Sequence, residues 1–352
     1  VKLKTEPDGR MFPITNSSET IVDCLMQAAA NAGVKLRTGA VVASVSWIGS
    51  QGDEEDKGDK GDKGKLHQFF PHSPTLPLSP SPPHSFEVVL KSGEVLQCDR
   101  LLLATGSSPI GYQIAKALGH QIEPPVPSLF TFNIPDRQLR ELAGISVNSV
   151  QLRLLADNTK LEQTGPLLIT HWGLSGPAVL KLSAWGARLL HDSHYQATLL
   201  INWLPQFKQE DLRQKLQIVK AEQAKKAIAL HRGVDLPQRL WQYLVARVGI
   251  NPEDRWAGIS NKTLNQLIQE LVQGQYQVQG KGVFKEEFVT CGGVRLQEVN
   301  FKTMESRLVP GLYFAGEILD IDGVTGGFNF QSAWTTAWLA GQAMGSREKD
   351  EG

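Results

Sequence analysis

Cysteine is scarce here: Cys24, Cys98 and Cys291 are the only three, and no CxxC pair exists. That excludes zinc-ribbon and thioredoxin-type chemistry, and an odd number of thiols fits a reducing, cytoplasmic setting. Net charge is absent as well, with Lys+Arg 36 against Asp+Glu 36. The balance gives no electrostatic reason to expect nucleic acid or an anionic membrane surface as partner. No apolar run reaches the roughly 20 residues of a membrane helix. No apolar h-region follows Val1-Lys2-Leu3-Lys4, so no secretory signal is expected there. An initiator Met is missing, and the opening residues read as mid-domain sequence. Neither a Ser-His-Asp set nor paired carboxylates stand out. His191 and His194 have a loose metal-like spacing but no third ligand, so surface histidines are expected and no metal site.

What is present is an α/β pattern. Asn16 and Ser17 precede Glu19 and an apolar series Ile21, Val22, Leu25, Ala28, Ala29, which predicts a capped helix stopped by Gly33. Val34 to Arg37 and Val41 to Trp47 read as strands. Gly49 to Ser85 differs: Gly58, Gly61 and Gly64 head Gly-Asp-Lys repeats, and a Pro/Ser/His-rich stretch follows. Glycine at period three is collagen-like, but the run is short and lacks proline in register, so a disordered insertion is expected at a hairpin tip. Leu101-Leu102-Leu103-Ala104 reads as a parallel strand buried on both faces, ending in Thr105-Gly106. Ile114 to Leu118 is helical and Gly119 closes it. Residues 123–202 are strand-like, except that Ser175 caps a helix with Pro177 in its first turn. Three amphipathic helices follow over 206–273, carrying Leu212/Leu216/Val219, Leu240/Leu244/Val248 and Leu264/Leu267/Ile268/Leu271. Strand pattern resumes at Gly282–Val289.

The segment with most chemical content is Gly311-Leu312-Tyr313-Phe314-Ala315-Gly316-Glu317, followed by Asp320 and Asp322-Gly323-Val324-Thr325-Gly326-Gly327-Phe328-Asn329. A short buried strand, a glycine loop and a helix N-terminus make a site for an anion or a polarised carbonyl. The bland alternative is a tight packing turn, but an acid directly after the strand can accept bonds from ligand hydroxyls. Asp320 and Asp322 read as loop acids rather than cation ligands. Cys291, in a strand-to-glycine turn, reads as a small buried hydrophobe in preference to a redox thiol. His171, beside the Gly-Leu-Ser-Gly-Pro helix start, has a structural reading and a substrate-facing one.

Several blocks together carry a resemblance. They are Leu3-Lys4-Thr5-Glu6 with Asp8-Gly9-Arg10-Met11-Phe12-Pro13, then Thr170-His171-Trp172-Gly173-Leu174-Ser175-Gly176-Pro177. Val289-Thr290-Cys291-Gly292-Gly293-Val294, Lys302-Thr303-Met304-Glu305-Ser306 and Gly311–Gln331 complete the set. With these the chain resembles the FAD-dependent oxidoreductases of the glutathione-reductase-like superfamily. Within it the likeness is to the aminoacetone-oxidase or BaiN-like flavoprotein family, over nearly the whole chain except Gly49–Ser85. The loop Ser107-Ser108-Pro109-Ile110-Gly111 is similar to the cyanobacterial and plastid-type branch.

The resemblance implies an α/β fold: an FAD/NAD(P)-binding Rossmann-like domain with an inserted β-barrel-like domain and a small helical insert. The implied organisation is residues 1–122 as the first part of the FAD domain, with 49–85 the insertion. Residues 123–205 with 274–288 are then the barrel, 206–273 the helical insert, and 289–352 the last part of the FAD domain. The implied cofactor-binding residues are Val42 at the adenine, Ala104, Thr105 and Gly106 on the same side, and Gly316, Glu317 and Asp320 near the ribityl or pyrophosphate. Gly326, Gly327, Phe328 and Asn329 fall at the pyrimidine end, where a helix N-terminus favours negative charge on the reduced flavin. The implied function moves hydride between a small organic substrate or NAD(P)H and an acceptor through FAD, with the catalytic residues and the oligomeric state unspecified. One departure qualifies this: no G-x-G-x-x-G occurs, so the diphosphate-binding turn of such folds is expected to be missing and the chain alone to hold FAD weakly. The rival reading is an N-terminally truncated, non-catalytic remnant serving as a binding module.

Overall fold

The computed structural model describes residues 1–7, 9–49, 84–156, 159–282, 289–324 and 327–346. The chain divides into two compact units. One comprises Val1–Ile122, Val294–Leu319 and Trp334–Gly352; the other comprises Glu123–Gly293 and Asp320–Ala333.

The first unit opens with β1 (Leu3–Thr5) paired antiparallel to β2 (Met11–Pro13). Helix α1 (Glu19–Asn31) follows. Its N-cap is Ser18, which makes no side-chain cap bond; Ser17 Oγ accepts the Glu19 N–H at 3.2 Å. None of its residues is buried, and Val22, Leu25 and Met26 are exposed. The strand predicted over Val34–Arg37 does not form. A strand needs a neighbour to take its backbone bonds. What this segment contributes is the Arg37 guanidinium, forked onto both Glu94 carboxylate oxygens at 2.9 and 2.7 Å.

Strands β3 (Val42–Gly49), β4 (His84–Leu90) and β5 (Val95–Cys98) form an antiparallel meander. Phe86, Val88 and Leu90 alternate into its buried face. The predicted insertion between β3 and β4 lies outside the described residues, apart from its ends. Next come β6 (Leu101–Leu103) and α2 (Pro109–Ala117). Only Leu103 of β6 is fully buried; Leu101 and Leu102 are half-buried, unlike a strand covered on both faces.

In the second unit, β7 (Ile122–Ser128) leads to β8 (Phe132–Asn133), α3 (Arg137–Arg140), β9 (Ser146–Ala156), β10 (Thr159–Ile169) and β11 (Gly173–Ser175). Pro166, which cannot donate to a ladder, sits where the β9–β10 register shifts. Helix α4 (Pro177–Trp185) has Gly176 at its N-cap, with no side-chain cap bond, so Ser175 is not the cap. Ser175 ends β11 and its hydroxyl receives Thr131 Oγ1–H at 3.0 Å. After α5 (Ala187–Asp192) and β12 (Gln196–Asn202) come the three predicted amphipathic helices. They are α6 (Gln209–Glu222), α7 (Gln238–Arg247) and α8 (Asn261–Gln273), and the apolar triplets named above are buried apart from the partly buried Val248. Strand β13 (Gly274–Gln279) resumes directly at the helix end, eight residues before the predicted start.

The large sheet runs β13-β12-β9-β10-β11-β8. Its ends meet: Phe132 bridges Lys281, and the Asn133 N–H donates to Gly280 O at 3.0 Å. The sheet therefore closes into a barrel, filled by Phe132, Leu152, Leu154, Leu199 and Ile201, all fully buried. Arg247 of α7 ties the helices to it. Its guanidinium meets Glu270 at 2.9 Å and Asp136 at 3.2 Å, donates to Gln275 O at 2.9 Å, and stands 4.4 Å over the Tyr276 ring.

Strand β14 (Val289–Val294) pairs with β7. The chain then returns to the first unit with β15 (Val299–Asn300), β16 (Glu305–Ser306) and β17 (Leu312–Phe314). Strand β17 lies parallel to β6, with Leu312 opposite Leu101 and Phe314 opposite Leu103. Helix α9 (Phe328–Ser346) is the last element.

Candidate active site

Two places in the chain collect polar groups around open backbone, one in each unit.

In the first unit, the carboxyl ends of the parallel strands β6 and β17 lie side by side, and the Ala315 N–H donates to Leu103 O at 3.1 Å. Ala104, Thr105 and Gly106 leave β6 there, and Gly316 and Glu317 leave β17. A Cβ built on Gly106 would stand 3.9 Å from Glu317 Oε2, so the acid lies against bare backbone. Thr336 Oγ1 fixes this end by accepting the Gly316 N–H at 2.9 Å. Carboxyl ends of neighbouring parallel strands are where open α/β sheets bind ligands. Val42 is the first residue of β3 in the same unit.

In the second unit, a cavity of about 490 Å³ is walled by Trp185, Arg188, Cys291, Asp322, Gly323 and Phe328, among others. Strand β14 delivers Cys291, and the loop ahead of α9 delivers Asp322. Gly292 makes this possible. At φ +118 a Cβ there would fall 2.6 Å from Pro124 O and 2.8 Å from Pro125 Cα, so only glycine lets β14 lie this close to β7. Ser128 Oγ donates to Asp322 Oδ2 at 3.1 Å, and the Cys291 thiol donates to the same carboxylate. Burial, reinforced by the charge of Asp322, pushes the Cys291 thiol up to about 11. At neutral pH it is therefore S–H, a proton source and a poor nucleophile.

Arg188 donates to Pro124 O at 3.1 Å and faces Asp320 Oδ1 at 3.6 Å. Its Nη2 is buried and makes no hydrogen bond. Burial raises the Asp320 carboxyl above its ordinary range; Arg188 and the Gly292 N–H oppose this, and Glu123 and Asp322 add to it. Trp185 and Phe328 are 67% and 60% exposed, so two ring faces remain available at the cavity wall.

The start of α9 has its own lock. Asn329 Oδ1 accepts the Gly323 N–H at 2.7 Å and its Nδ2 donates to Gly323 O at 2.9 Å. Asn329 thus holds the loop with its side chain, while Gly327, at φ +91 with no atom within 4 Å of an added Cβ, leaves backbone bare. Gly326 lies outside the described residues. The resulting cradle, with a helix N-terminus behind it, suits the polar edge of a planar cofactor. Residues of both units thus fit the group that the sequence resemblance implies: Gly106 and Glu317 in one, Asp320 and Gly327 to Asn329 in the other.

Sequence reading missed Ser128, Trp185 and Arg188, which no local motif marks, and gave Cys291 a packing role that its place in the cavity wall corrects. His171 is exposed and is not part of that wall. His191 pairs with Asp192, and among the described residues no three His, Cys, Asp or Glu side chains gather to hold a metal. A Ser-His-Glu chain does occur in the first unit. His120 Nδ1 meets Glu298 Oε2 at 2.9 Å and its Nε2 meets Ser306 Oγ at 3.0 Å. Ser306 is buried and its oxygen also accepts the N–H groups of Leu308 and Val309, so this chain is a structural clamp, not a nucleophile. No helix among the described residues is long and apolar enough to cross a membrane.

Comparison with known proteins bears on both places. Residues 126–289 match the family model described as HI0933-like protein barrel and H2TH domain, which corresponds to the barrel and helices built above. The chain is similar to the ribosomal RNA dihydrouridine synthase of Escherichia coli K12, 35% identical over 72% of this chain and 62% of that one. It is similar to the enzyme of the same name from Haemophilus influenzae, 34% identical over 69% and 59%. It is also similar to the 3-dehydro-bile acid delta(4,6)-reductase of Clostridium scindens, 29% identical over 74% and 65%. The chain thus spans about three fifths of the length of these relatives.

Proposed function

We propose that this chain belongs to a flavin-dependent oxidoreductase that saturates a carbon–carbon double bond conjugated to a carbonyl, using FAD and taking electrons from NAD(P)H. The observation that carries the reading is the second-unit cavity, where a protonated thiol and a carboxylate stand beside the bare backbone at the start of α9. The names of the relatives support it. Both the uracil ring of uridine and a 3-oxo bile acid carry a double bond adjoining a carbonyl, and both named activities add hydrogen across such bonds.

In this reading the first unit is a Rossmann-like FAD domain. Val42, Ala104, Thr105, Gly106, Gly316 and Glu317 are assigned to the adenine, ribityl and pyrophosphate side. Asp320 and Gly326 to Asn329 are assigned to the pyrimidine side, with the α9 N-terminus favouring an anionic reduced ring. Bound FAD supplies hydride transfer; the protein positions, orients and tunes. Arg188 and the rings of Trp185 and Phe328 then hold a planar acceptor. The rival reading of a non-catalytic remnant is not favoured, because the thiol, carboxylate and cradle are all present. The expectation of no nucleic-acid partner is not carried forward, since uridine in RNA is one of the acceptors to be tested.

The test uses the full-length protein. It should purify with flavin that chromatography identifies as FAD, be reduced anaerobically by NAD(P)H, and be reoxidised by a 3-oxo-Δ4 bile acid or by a uridine-containing ribosomal RNA fragment. FMN alone, or no flavin, contradicts the cofactor assignment.

A further inference from the structure

We propose that Cys291, held by Asp322 in the wall of the second-unit cavity, is the catalytic residue that donates the proton in this reduction. The inference rests on the reading above and deepens it by assigning the group that completes the saturation.

Reducing a conjugated double bond needs two hydrogens of different kinds. The β-carbon gains a hydride supplied by the reduced flavin, and the π electrons move toward the carbonyl. The α-carbon must then take a proton. The Cys291 S–H bond breaks and an α C–H bond forms; the thiolate left behind regains its proton from solvent. The donor must be protonated at neutral pH, within a cavity large enough for a ring, and fixed in direction.

Cys291 meets all three needs. Its thiol is oriented by Asp322, which Ser128 in turn holds at 3.1 Å. The cavity of about 490 Å³ has the exposed faces of Trp185 and Phe328 to receive a flat ring. Phe328 also begins the segment assigned to the flavin. The other ionisable groups facing this corner are Asp320 and Arg188, with Glu123 behind Asp320. Arg188, with a buried Nη2 that makes no hydrogen bond, is placed to polarise the acceptor carbonyl. Cys291 has no cysteine partner among the described residues, so a disulfide role does not compete.

The experiment compares Cys291→Ala, Cys291→Ser and Asp322→Asn with the native full-length protein, each checked for melting temperature. Reoxidation of the reduced flavin by the bile acid or RNA probe should slow roughly 100-fold in Cys291→Ala, the usual size of a general-acid contribution. Cys291→Ser should recover part of it, and reduction by NAD(P)H should stay within about twofold. A second readout needs no flavin. In the flavin-free protein, alkylation of Cys291 by iodoacetamide, followed by peptide mass, should have its pH midpoint near about 11, and lower in Asp322→Asn. A native protein that reduces neither probe overturns the reading beneath the proposal, and the proposal with it. Native activity matched by Cys291→Ala, or an alkylation midpoint in the ordinary cysteine range that Asp322→Asn leaves unmoved, overturns the proposal alone.

Discussion

Asn329 grips Gly323 at both ends of one residue's backbone, accepting its N–H at 2.7 Å and donating to its carbonyl at 2.9 Å. Six residues of loop are thereby fixed ahead of α9. Each bond is worth roughly 0.5–1.5 kcal/mol net. Asn329→Ala should lower the melting temperature by a few degrees and loosen flavin retention, whereas Asn329→Asp, which keeps only the acceptor, should fall between. Thermal scans and the flavin-to-protein ratio after gel filtration check this; unchanged retention in the alanine variant contradicts it.

Gly292 is the closest approach between β14 and β7. A methyl group at φ +118 meets Pro124 O and Pro125 Cα well inside contact distance. Gly292→Ala should cost roughly 1–3 kcal/mol from backbone strain alone, and more where the strands part. Because Cys291 is its neighbour, the same variant should speed thiol alkylation. A melting temperature equal to the native value would show that the strands can separate freely.

His120 sets a pH dependence. Burial outweighs the hydrogen bond and charge of Glu298 and lowers its pKa below the ordinary histidine value. Folded, it is neutral; unfolded, it protonates near about 6.5. Its contribution is therefore present above that pH and is lost as pH falls through the lower folded value. Native stability should drop on acidification below about pH 6.5 more steeply than that of His120→Gln, measured by urea midpoints at a series of pH values. Parallel profiles would remove His120 as the cause.

Arg247 joins α7, α8, α3 and β13 through Glu270, Asp136 and Gln275. Arg247→Ala strands buried carboxylates and should cost roughly 3–5 kcal/mol. Arg247→Met, which keeps the stem over the Tyr276 ring, should cost less. Chemical denaturation distinguishes the two.

Much of this architecture was legible in the sequence, because periodicity reports burial directly. The helices carrying Leu212/Leu216, Leu240/Leu244 and Leu264/Leu271 emerged as predicted, since an amphipathic stripe needs no partner to be recognised. The hairpin from Val42 to Leu90 did too. The errors fell where tertiary partners decide. Val34–Arg37 has strand composition but no neighbour to bond. Ser175 looks like a cap yet spends itself on β11, leaving Gly176 at the helix start. The cavity was the least readable part. Ser128, Arg188, Cys291 and Asp322 lie on four separate elements, and only the closing of β14 onto β7 at Gly292 brings them together. Cys291 looked like packing because one cysteine in a glycine turn carries no sign of the carboxylate it faces.

The most direct test of the account is anaerobic reoxidation. Full-length protein carrying FAD is reduced with one equivalent of NAD(P)H and mixed with the 3-oxo-Δ4 bile acid or the uridine-containing RNA fragment while the flavin absorbance is followed. The account predicts that the oxidised flavin spectrum returns as the acceptor's double bond is saturated, one bond per flavin. A flavin that stays reduced with both acceptors, yet reoxidises at once in air, would contradict it.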